Sequence, residues 1–85
     1  MASIRPAWWD WELVLSLHLL KRMVERRFSE SDLRSMLETA HECRPGPHLG
    51  RWVLSTNHDR RRWRVIVEPD EERRRLVVIT AYPVE

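Results

Sequence analysis

The feature that most limits how this chain can fold sits at Pro45-Gly46-Pro47, where the hydrophobic periodicity changes. Neither a helix nor a central strand runs through two prolines flanking a glycine, so whatever precedes the break must finish there. Upstream, apolar residues recur mostly at helical spacing; downstream they alternate, as in half-buried strands. The fold class that follows is α+β, with the helices before the break and most of the strands after it.

Before the break, Leu19, Leu20, Met23 and Val24 form one apolar stripe of helical period, and Ser16 is a good N-cap, which predicts a first helix over about 17–27. Ahead of it, Trp11, Leu13 and Leu15 alternate with Glu12 and Val14, the pattern of a short strand. Ser29 and Asp32 have the spacing of a capping box, with aspartate in place of the usual glutamate or glutamine, and Phe28 and Leu33 take the positions of a hydrophobic staple. A second helix therefore starts at Glu30, buries Leu33, Met36, Leu37 and Ala40, and ends between Glu42 and Arg44.

After the break, Arg51 to His58 alternates, Trp63, Val65 and Val67 alternate with Arg64, Ile66 and Glu68, and Leu76 to Ala81 is apolar on both faces, as for a strand inside a sheet. Polar turns at Asn57 to Arg61 and Pro69 to Glu72 make these strands an antiparallel meander. The expected order is strand, helix, helix, strand, strand, strand, a helical hairpin packed on an antiparallel sheet. Residues 1–9 carry no periodic pattern and are expected to fray.

Eighty-five residues allow one core, hence one domain over 1–85. The net charge of +2 is modest, but 14 of the 15 cations are arginine, whose planar fork pairs bidentately with phosphate or carboxylate. The single Cys43 excludes an intrachain disulfide, and with no leader-like start the expectation is a reducing cytoplasm. The longest apolar run, Leu13 to Leu20, is interrupted by Ser16 and His18, so no membrane span is expected. Gly46 and Gly50 are the only glycines, which leaves no Gly-rich phosphate loop, and His41, Cys43 and His48 match no zinc spacing. Neither metal nor cofactor is expected.

The residues with chemistry to offer fall into two groups. His18 and Arg22 are four apart on the first helix and share a face. A histidine there can take a proton from an RNA 2′-hydroxyl while the guanidinium holds the phosphate whose charge grows in the transition state; the plainer reading is a packed histidine and an arginine paired with Glu25 or Asp10. The second group is Arg51, His58, Arg64, Thr80 and Tyr82. Arg51 and Arg64 have the parity opposite to Trp52 and Trp63, so if the tryptophans face the helices the arginines face outward, where the hydroxyls of Thr80 and Tyr82 can join them. The triplets Arg60 to Arg62 and Arg73 to Arg75 lie near turns at opposite ends of the meander, either a solvated rim or contacts to nucleic acid.

Taken together, His18 with Arg22-Met23, then Glu25-Arg26, Phe28-Ser29-Glu30, Asp32-Leu33, Gly50-Arg51-Trp52, Val65-Ile66-Val67-Glu68-Pro69 and Thr80-Ala81-Tyr82-Pro83, resemble an uncharacterised family of small bacterial proteins. That family is similar in element order to the RelE, ParE and BrnT toxins, and through them to the barnase, EndoU and colicin-type ribonucleases. The resemblance covers nearly the whole chain from Trp11 and departs at Arg27, where glycine is expected. It implies a RelE-like fold and a metal-independent ribonuclease, the toxin of a toxin–antitoxin pair, with RNA as substrate and an antitoxin protein as partner. The implied catalytic residues are His18, Arg22, Thr80 and Tyr82, with Arg51, His58 and Arg64 on the RNA. The alternative on the same scaffold is a non-catalytic module that binds a protein target or nucleic acid.

Overall fold

The computed structural model describes residues 6–84. A 3-10 turn, Ala7–Asp10, leads into β1 (Glu12–Leu15), followed by α1 (Leu17–Arg26), α2 (Glu30–Glu38), β2 (Glu42–Pro45), β3 (Trp52–His58), β4 (Arg61–Asp70) and β5 (Arg75–Val84). The strands form one five-stranded sheet in the order β1-β5-β4-β3-β2. The α+β class and the placement of both helices ahead of the meander are as expected; the sheet differs in two ways. It is mixed, because β1 runs parallel to β5, with Glu12 opposite Arg75 and Leu15 opposite Val78. It also has a strand the periodicity missed: β2, antiparallel to β3, claims the segment assigned to the end of the second helix. Glu42, Cys43, Arg44 and Pro45 carry no strand-like alternation, and only the neighbouring edge of β3 makes them extended.

The helical hairpin turns as its capping residues dictate. In α2 the Asp32 amide donates to Ser29 Oγ and the Ser29 amide donates to the Asp32 carboxylate, a complete capping box. Phe28 and Leu33, the staple residues, are both buried. α1 ends at Arg27 in the left-handed conformation, φ 56°, with its amide donating to the Met23 carbonyl. That geometry is the reason a glycine suits this position.

Both helices lie on one side of the sheet. Leu19, Phe28, Leu33, Met36 and Leu37 pack against Leu54, Trp63, Val65, Val67, Leu76, Val78 and Ala81. The second helix buries its expected face, but in α1 the expected stripe splits: Leu19 is buried, whereas Leu20 and Val24 point to solvent. Nor are residues 6–9 frayed. Trp8 is buried, stacked on Trp9 at 5.7 Å and 6.0 Å from Trp52, so the indoles close the end of the core. The rest of the segment expected to fray, residues 1–5, lies outside the described residues.

One irregularity decides which side chains of β5 face which way. Opposite β4, Ile66 pairs with Thr80 but Val67 pairs with Val78, so Ile79 is an extra residue in β5, a β-bulge. Strict alternation from the buried Leu76 and Val78 would turn Thr80 and Tyr82 inward; after the bulge it is Ala81 that is buried, and Thr80 and Tyr82 face out.

Candidate functional site

The sheet face turned away from the helices carries Arg62, Arg64, Ile66 and Glu68 on β4, opposite Val84, Tyr82, Thr80 and Val77 on β5. On β3, Ser55 and Asn57 continue the same face. No helix among the described residues covers it, so Arg64, Ile66, Thr80 and Tyr82 are all partly exposed.

α1 is fastened along the part of β5 that extends beyond β1. Ser16 Oγ donates to the carbonyl of the bulge residue Ile79 at 2.8 Å while accepting the Leu19 amide at 3.0 Å, so one hydroxyl caps the helix and ties it to the bulge. At the other end of the helix, Arg26 Nη1 donates to the Ala81 carbonyl at 2.8 Å. His18, Arg22 and Arg26 are successive members of one i, i+4 row, and each step of four residues turns the row by only about 40°. The last member, Arg26, reaches the backbone between Thr80 and Tyr82, at the seam between α1 and the edge of β5. Arg26 was not among the sequence candidates; its place in the i+4 row with His18 and Arg22 is the signal that could have found it.

Arg22 is half-buried and bonded to Glu25 on the same helix. That guanidinium bond holds the Glu25 carboxyl below the usual carboxylate range. His18 is exposed and has no hydrogen-bond or ion-pair partner among the described residues. No hydrogen bond among the described residues links His18 or Arg22 to Thr80 or Tyr82, which lie on the sheet face turned away from the helices, so the helix row and the hydroxyls form two separate sets of groups.

Of the residues assigned to RNA, Arg64 stands on the open face beside Tyr82, and Arg51 reaches that face with its Nε donating to Glu68 Oε1 at 3.0 Å. His58 does not join them. It shares parity with Trp52, Leu54 and Thr56 on the helix side and packs edge-on against Trp63 at 5.5 Å. The two arginine triplets also differ. Arg73 is paired with Asp70 at 3.3 Å and Arg75 with Glu12 at 3.6 Å, whereas Arg62 has no ion-pair partner among the described residues. Among the described residues, no three histidine, cysteine, aspartate or glutamate side chains gather as a metal site requires. Burial pushes the Cys43 thiol up, which disfavours the reactive thiolate.

A domain family of unknown function, DUF4258, matches residues 15–83. The chain belongs to this family. The matched span begins at the end of β1 and includes the Ser16 cap, the whole of α1 and the bulged strand β5, so the seam lies inside the family's domain. No curated protein and no solved structure matches the chain. No helix among the described residues is long and apolar enough to cross a membrane.

Proposed function

We propose that this DUF4258 domain is a metal-independent ribonuclease that cleaves single-stranded RNA at the α1–β5 seam. The observation that supports this reading is the Arg26 to Ala81 hydrogen bond, which ties the helix that carries His18 and Arg22 to the β5 backbone between the outward-facing Thr80 and Tyr82. In the reaction, His18 takes the proton of a 2′-hydroxyl, the 2′-oxygen attacks the adjacent phosphorus, and the bond to the 5′-oxygen breaks as that leaving oxygen takes a proton from solvent water. The products are a 2′,3′-cyclic phosphate and a 5′-hydroxyl. Arg22 stabilises the charge that builds on the phosphoryl oxygens, and its present partner Glu25 is exchanged for the phosphate. Thr80 and Tyr82 supply hydroxyls beside the leaving group, and Arg64 and Arg51 hold the flanking strand. The cellular role that accompanies this activity, a toxin restrained by an antitoxin protein with a RelE-like architecture, rests on the motif resemblance and is part of the proposal.

The Arg22–Glu25 ion pair also favours a second reading, in which the cations are already neutralised in part and the face binds RNA without cutting it. Incubation with labelled RNA in EDTA separates the two. Cleavage that leaves 5′-hydroxyl ends and is lost in both His18→Ala and Arg22→Ala supports the ribonuclease; RNA bound but intact at high protein excess refutes it.

A further inference from the structure

At the end of the open face, where β3, β4 and β5 run past the seam toward the β3–β4 turn, His41, Glu42, Ser55, Asn57, Arg62 and Arg64 line a shallow depression of about 440 Å³. None of these residues except Arg64 takes part in the reaction proposed above. Register places them in two rows across the sheet: Glu42, Ser55, Arg64 and Tyr82 in one, Asn57, Arg62 and Val84 in the next. The depression has the chemistry of an anion site. Arg62 and Arg64 lack ion-pair partners among the described residues, and Asn57 is exposed with its amide available. The one carboxylate in it among the described residues, Glu42, already accepts from Ser55 Oγ at 2.9 Å and lies 3.9 Å from Arg44, so its charge is engaged at the rim.

We propose that this depression is a backbone-binding subsite for single-stranded nucleic acid, in which Arg62 and Arg64 each take one phosphate and Asn57 supplies a neutral hydrogen bond. The proposal rests on the RNA reading of the open face but not on cleavage. The two rows are two residues apart along each strand, about 6.8 Å, comparable to the separation of successive phosphates in an extended strand. Tyr82, in the Arg64 row, offers a partly exposed ring on which an unpaired base can stack, which a duplex could not use. The strand therefore passes from the seam at Thr80 across Tyr82 into the depression, and the β3–β4 turn with Arg60 marks where it leaves.

The test is binding of a fluorescent, all-deoxy single-stranded oligonucleotide, which lacks the 2′-hydroxyl and cannot be cleaved by the proposed reaction. Arg62→Gln is compared with wild type and with Arg73→Gln, which removes the same charge from the ion pair with Asp70 at the other end of the meander. The expected result is a Kd about tenfold higher for Arg62→Gln, with a log Kd against log salt slope reduced by about one, and little change for Arg73→Gln. A circular dichroism melt matching wild type shows that Arg62→Gln is folded. Equal losses in both variants, or none in either, overturn the subsite. If wild type fails to cut RNA yet Arg62→Gln alone weakens binding, the subsite stands and the ribonuclease reading falls. If RNA is cut but Arg62→Gln binds normally, the reverse holds.

Discussion

Ser16 does two jobs with one hydroxyl, and removing it should cost both. In Ser16→Ala, α1 loses the acceptor for the Leu19 amide, and the Ile79 carbonyl loses its donor. An N-cap serine contributes about 1 kcal/mol and a part-buried hydrogen bond about 1 kcal/mol, so the variant should lose roughly 2 kcal/mol. For a domain of this size each kcal/mol shifts Tm by about 4–8 °C, which puts the expected fall near 8–16 °C. Ser16→Asp divides the two contributions: a carboxylate still caps the helix, but it cannot donate to Ile79. Thermal melts with urea titrations at constant m-value measure both variants. If the seam cleaves RNA as proposed, that activity should fall in both, at temperatures where the protein remains folded, because Ser16 ties α1 to the bulge. The reasoning fails if Ser16→Ala melts within about 4 °C of wild type, or if Ser16→Asp is as stable and active as wild type, since the Ile79 bond would then contribute nothing.

Arg27→Gly should raise Tm, by about 4–8 °C, because relief of the left-handed strain of about 1–2 kcal/mol outweighs the added chain entropy of glycine; a lower Tm contradicts this. Thr56 is buried, donates to the Met36 carbonyl at the end of α2 and lies 3.2 Å from the Thr39 hydroxyl, so Thr56→Val should leave that carbonyl only the 3.5 Å contact from Thr39 and cost about 1 kcal/mol in urea titrations. The Asp32 carboxyl is held below its ordinary range, first by the Ser29 amide and then by its hydroxyl. A depressed native pKa contributes stability above the unfolded carboxylate value, which is lost as pH falls through the native one. Asp32→Asn should therefore be less stable than wild type at neutral pH, and the difference should close in melts taken from about pH 5 downward.

Much of the architecture could be read along the chain because local chemistry specifies it. The box of Ser29 and Asp32 and the staple of Phe28 and Leu33 are contacts between residues a few positions apart, and they determine where α2 begins whatever surrounds it. The alternation of Trp63, Val65 and Val67 likewise fixes which side of β4 is buried. The seam was legible in part: His18 and Arg22 share a helix face by spacing alone, and the outward parity of Arg64 follows from the tryptophans. Other features depend on partners distant in sequence. Leu20 and Val24 fit a helical stripe, but whether that stripe is buried depends on where α1 sits, and it sits at the edge of β5, where only one narrow face meets the core. β2 is extended because β3 offers an unpaired edge, and β1 is parallel to β5 because the helical hairpin carries the chain to β2 at the far edge and the antiparallel run through β3 and β4 brings β5 back beside β1. The bulge is the deepest case. Nothing in Val78, Ile79 and Thr80 marks an extra residue, since all three suit a strand. Only the register against β4, held on the other edge by Ser16, turns Thr80 and Tyr82 from the core to the open face. The sequence by itself determined which groups this protein has to use and which helix carries them; the tertiary structure decided that Thr80 and Tyr82 face out, because side-chain direction in a strand reverses with every residue and a single inserted one reverses all that follow.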